Sequence, residues 1–166
     1  MMNRVLPVIF LILLSLLFIV LQSTFFSPIH FGHAFYPDLN LVLIVFLGLF
    51  SDLRRGAIIA IGNGYMMDVL SGYVIGIHSL SRLSVFVILK GISQHIYSQS
   101  RITQAMAVLF ATLFLWGFIW VSLRLKTDDL EFGISLGDVM TQGVVNTVVG
   151  LPVFWIINGL YAKVQW

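Results

Sequence analysis

The chain has 166 residues, of which 59% are hydrophobic and only 10% charged, and its mean hydropathy is +1.01. Soluble domains carry about 25% charged residues, and a chain this small cannot hide so much apolar surface from water, which argues against a soluble fold and against disorder. The net charge is +2 with no long basic cluster, and there is no cysteine, so a nucleic-acid track, disulfides, thiolate zinc sites and thiol catalysis have no support.

A helix crossing a roughly 30 Å hydrocarbon core needs about 20 mostly apolar residues. On that measure one transmembrane domain over residues 1–166 is expected, with spans near 5–26, 37–51, 56–72, 74–92, 103–123 and 136–162. The first, Val5 to Phe26, follows Met1-Met2-Asn3-Arg4. Its apolar run exceeds that of a signal peptide and no small-residue cleavage site follows, so it reads as a retained span. The second opens on Pro37-Asp38, and both residues suit the first turn of a helix. From Leu39 to Ser51 it is short for a full crossing, so it is expected to start in the interface near Tyr36. Ser71-Gly72-Tyr73 is the turn signal between the third and fourth spans. The sixth, Leu136 to Ala162, contains Pro152, which is expected to kink it.

Basic residues set the orientation. With the N-terminus in the cytoplasm, Arg4, Arg54, Arg55, Lys90, Arg101 and Lys163 lie inside, against Arg124 and Lys126 outside with Asp128, Asp129 and Glu131. Both termini are therefore expected in the cytoplasm. Trp116 and Trp120 then fall near the outer interface, and Trp155, Tyr161 and Trp166 near the inner one.

The polar residues inside the spans carry the functional information, because the bilayer penalises them. Gly56, Ala60, Gly64, Asp68 and Gly72 recur every four residues and share one helical face. Such a stripe lets another backbone approach closely. It reads either as a seam for a partner, ending in a buried carboxylate, or as internal packing with Asp68 capping a turn. Arg82 in the fourth span reaches a depth similar to Asp68, so an Asp68–Arg82 ion pair is expected, unless Arg82 snorkels alone to the interface. Asp138, Gln142, Asn146 and Gly150 form a polar face on the sixth span, suited to helix packing or to a cavity. His30 and His33 lack the spacing of a metal site, Ser71 and Ser79 lack triad partners, and Gly62-Asn63-Gly64 is no phosphate loop. No enzyme, cofactor or metal site is expected.

These features resemble the MreD family, the small membrane subunit of the bacterial rod-shape (elongation) complex. The resemblance rests on Pro37-Asp38-Leu39-Asn40-Leu41 and on Gly64-x-x-x-Asp68-Val69-Leu70-Ser71-Gly72-x-x-x-Gly76-x-x-x-Leu80, beside six spans with both ends inside. It implies a bundle similar to the substrate-binding subunits of energy-coupling-factor transporters. It also implies a non-enzymatic scaffold in the bacterial inner membrane that supports peptidoglycan synthesis and cell shape. The implied partners are an MreC-like bitopic protein and, directly or through it, MreB filaments, a RodA-type glycosyltransferase and its transpeptidase. Arg54-Arg55 and the segment 93–101 are candidate cytoplasmic contacts. The alternative function is a substrate-binding subunit of a small-molecule transporter. Gly64, Asp68, Ser71, Gly72, Gly76, Arg82, Pro37 and Asn40 are the expected partner-binding or structural positions.

Overall fold

A computed structural model describes residues 2–26, 36–71, 75–125 and 135–164. The expectations for His30, His33, Gly72, Tyr73, Lys126, Asp128, Asp129, Glu131 and Trp166 fall outside those residues. All described elements are helical: α1 Met2–Leu21, which continues as a π-helical turn Gln22–Phe26, α2 Leu39–Phe50, α3 Leu53–Ser71, α4 Ile77–Ser93, α5 Arg101–Arg124 and α6 Leu136–Val164. Three segments, Leu6–Thr24, Arg101–Ser122 and Leu136–Leu160, are long and apolar enough to cross a membrane.

The short helix α2 is the axis of the bundle. It packs against α1, α3, α4, α5 and α6, and every residue from Leu39 to Leu49 is buried. Its composition permits this, since a helix apolar on all sides can be buried in a protein core as well as in lipid. At about 18 Å it is shorter than the hydrocarbon core. Phe46 and Phe50 meet Phe154 of α6 at ring separations of 5.7 and 6.3 Å, which ties the lower half of the axis to α6. Where the helices face outward they are apolar too. Leu6, Leu13, Leu17 and Val20 of α1 and Leu136, Met140, Val144 and Val148 of α6 are exposed, as lipid-facing side chains would be.

The ends of the central helices have local causes. Asp38 accepts the Leu41 N–H at 2.8 Å and starts α2; Ser51 returns its N–H and hydroxyl to the Leu47 carbonyl at 2.9 and 2.7 Å and stops it. Helix α3 then begins at Leu53, earlier than the expected Gly56. Helix α4 begins at Ile77, later than the expected Val74. Gly76 precedes it with φ +105°, a left-handed conformation that an α-helix does not contain and that an L side chain rarely adopts; Val74 itself falls outside the described residues.

Candidate functional site: a buried polar network

The small-residue stripe on α3 is filled by α4 of the same chain. Gly56, Ala60, Gly64 and Asp68 are all buried. A Cβ at Gly64 would overlap Ser79 Cα and stand 2.7 Å from the His78 carbonyl oxygen. Glycine at this position is what lets the two backbones touch. The partner-seam reading is therefore corrected: this face is an intramolecular seam.

Asp68 closes the seam. Its carboxylate accepts the N–H groups of Gly76, His78 and Ser79 at 2.9, 2.8 and 3.1 Å, and the Ser79 hydroxyl at 2.7 Å. The first amides of a helix have no partner within it, and a carboxylate there also faces the positive end of the helix dipole. Asp68, itself 1% exposed, thus caps α4 from the end of α3. Gly76 contributes one of these amides from its left-handed turn. Ser71 is the last residue of α3.

Arg82 does not pair with Asp68. Its Nη2 lies 3.1 Å from Asp38 Oδ2, and its Nη1 donates to Asn63 Oδ1. Arg82 is 1% exposed and Asp38 13%. An expected likeness in depth says nothing of rotation about the helix axis, and rotation is what separates the two. Asp68 is turned toward the α4 amides, and Arg82 faces the start of α2.

From this ion pair, hydrogen bonds run in both directions. On one side the Asn63 amide donates to Ser15 Oγ and to Asn40 Oδ1, each at 2.6 Å. The Asn40 amide donates to Gln22, whose own amide donates to the Pro37 carbonyl at 3.1 Å. On the other side the Asp38 N–H donates to Asn146 Oδ1 at 2.7 Å, and the Asn146 amide donates to Thr112 Oγ1 at 3.0 Å. Ser15, Asn40, Asn63, Arg82, Thr112 and Asn146 come one each from α1 to α6. The network therefore fixes the rotation of every helix about its axis, which apolar packing alone specifies loosely. Nearby, the Trp116 indole N–H donates to Gln142, and the Gln142 amide reaches the Tyr36 carbonyl at 3.4 Å.

Several expected positions meet here: Pro37, Asn40, Arg82, Gln142 and Asn146. Asp138 does not join them; it stands exposed in the first turn of α6. Asn63, Asp38, Gln22, Ser15 and Thr112 belong to the network without having been singled out as site residues. The available signal was simple. Ser15 and Gln22 are seven apart and share a face of a strongly apolar helix, and Asn63 is an amide in an otherwise apolar stretch. Chemically the network offers fixed dipoles and one ion pair, with no group of three or more metal-ligating side chains among the described residues.

The family model for rod shape-determining protein MreD matches residues 2–163 of the chain. Neither the curated proteins nor the solved structures gave a significant match.

Proposed function

This chain belongs to the MreD family of rod shape-determining proteins, and from that premise we propose that it is a non-enzymatic scaffold of the cell-wall elongation complex. The observation that carries the reading is the family match over nearly the whole chain. The scaffold forms a single transmembrane domain of six spans in the inner membrane, with both termini in the cytoplasm. It holds the transmembrane helix of an MreC-like bitopic protein and, through it, supports peptidoglycan synthesis by a RodA-type glycosyltransferase and its transpeptidase, with MreB filaments on the cytoplasmic side. The polar network supports this role physically, since a scaffold must present its outer faces at fixed angles.

The α3 stripe is occupied by α4, so the partner helix takes another face. The groove between α1 and α3 suits it. The groove has a volume of about 210 Å³, walls of Ile12, Leu16, Ile58 and Met66, and Ser15 and Asn63 at its base. Gly62 has open space where a Cβ would stand, so a second backbone has room to approach. The transporter alternative drew on the polar face of α6, but Gln142 and Asn146 are already hydrogen-bonded to neighbouring segments.

The test is photo-crosslinking in cells from single positions. Met66 and Ile58 should capture an MreC-like protein, and Val144 on α6 should not. Capture from Val144 alone would move the partner to another face. Recovery of a transporter ATPase pair in place of the bitopic protein would overturn the scaffold. Topology is read separately from introduced cysteines, each of which is the sole thiol of the chain.

A further inference from the structure

At the N-terminal end of α5 a notch opens between α5 and the second half of α6. It has a volume of about 480 Å³, within the range of ligand sites, and is lined by Gln99, Arg101, Gln104, Leu151, Pro152, Trp155 and Asn158. Three properties of this lining point to one class of ligand. The first is charge: one guanidinium and three side-chain amides line the notch, without a carboxylate. Arg101 forms no ion pair among the described residues, so its charge is available to a ligand in the notch. The second is order. The Gln104 amide is buried and bonded to the Ser98 carbonyl at 3.2 Å, which anchors the turn that carries Gln99 and Arg101. The third is depth. Arg101 is the first residue of a membrane-length apolar segment, so the notch sits where that segment meets the headgroup region. Trp155, 76% exposed at the rim, is the residue type that prefers this level of a membrane. Leu151 and Pro152 continue the lining with apolar surface.

We propose that this notch binds the phosphate of an anionic phospholipid, with Arg101 as its cationic ligand, the Gln99 and Asn158 amides as further donors, and the glycerol and upper acyl chains against Leu151, Pro152 and Trp155. The site is independent of the partner groove and lies on other helices. A guanidinium and amide donors suit a phosphate diester, and the apolar floor suits a ligand that brings its own hydrocarbon.

The experiment uses the full chain in phosphatidylcholine nanodiscs doped with phosphatidylglycerol, with retained lipid counted by native mass spectrometry. The wild type should retain phosphatidylglycerol over phosphatidylcholine, and Arg101→Gln should weaken that retention about tenfold. Arg124→Gln removes the same charge at the other end of α5 and should leave retention unchanged. Asn158→Leu should give a smaller loss. Helicity by circular dichroism confirms that each variant is folded. Equal loss in Arg101→Gln and Arg124→Gln would reduce the effect to general charge and overturn the site. Displacement of the lipid by millimolar inorganic phosphate would make this a soluble-anion site and overturn the lipid assignment. Equal retention of the two lipids by the wild type would overturn both.

Discussion

Replacing Arg82 with methionine tests the centre of the network. Methionine keeps an unbranched apolar stem, ending about where the Arg82 Nε sits, and removes the guanidinium. Asp38 then loses its ion pair at 3.1 Å, and Asn63 Oδ1 loses its donor. Removing one partner of a buried pair costs about 3–5 kcal/mol, because the other charge stays buried. Asp38 keeps the Leu41 N–H and the Gln22 amide and is 13% exposed, so the lower end, about 3 kcal/mol, applies. For a chain of this size about 1 kcal/mol moves a thermal midpoint by about 2–4 °C, so Arg82→Met should melt roughly 6–12 °C lower. The assay is thermal unfolding in a fixed detergent, followed by fluorescence-detected size exclusion. Asp38→Asn should show a loss of the same order. The double variant should be less damaged than the sum of the two by about 1–3 kcal/mol, the signature of directly interacting residues. Strict additivity for Asp38 and Arg82, together with strong coupling between Asp68 and Arg82, would refute the pairing derived from the structure.

Other expectations follow from the same geometry. Gly64→Leu must separate α3 from α4 at Ser79 and should abolish folded yield, whereas Gly62→Ala, with open space around it, should change the midpoint by less than about 2 °C. Asp68→Ala leaves the first amides of α4 without their acceptor and should cost about 2 kcal/mol, visible as faster hydrogen exchange at His78 and Ser79. Asn146→Leu strands the Asp38 N–H and should cost about 1–3 kcal/mol, while Asp138→Asn, on an exposed turn, should stay within about 0.5 kcal/mol of wild type, both read from thermal midpoints.

The helices were legible because apolar runs of membrane length carry a strong one-dimensional signal, and three of those runs recur as the long apolar segments Leu6–Thr24, Arg101–Ser122 and Leu136–Leu160. The start of α4 was less legible. In the sequence Val74 looks as helical as its neighbours, and the later start depends on Gly76 turning left-handed so that the His78 and Ser79 amides meet a carboxylate ten and eleven residues upstream. The Gly64–Asp68 stripe was visible as a seam, but what filled it was not, since a four-residue period says that something packs there and not what. In the sequence Asp38 reads as a helix start within the Pro37–Leu41 motif, and the acid expected to meet Arg82 is Asp68 on the adjacent helix. The true partner lies 44 residues away, a separation that sequence spacing cannot resolve. Asn63 shows the same limit, because its value lies in meeting Ser15, Asn40 and Arg82 at once.

The order of the ion pair along the chain bears on how the protein is made. An arginine at the centre of a lone helix costs about 2.5–3.5 kcal/mol to insert on translocon scales. Asp38 is synthesised well before Arg82, and so is Asn63, the other acceptor of its guanidinium. In the proposed topology α4 is therefore offered a counter-charge already waiting in the membrane when it arrives. Loss of that acid would then appear first as a defect in inserting α4, with α2 in place. Truncated chains ending just beyond Lys90, carrying Asp38→Ala and a glycosylation acceptor, would reveal it: α4 should fail to insert in the variant and succeed in the wild type, and equal insertion would show that the pair forms only after all the helices have entered.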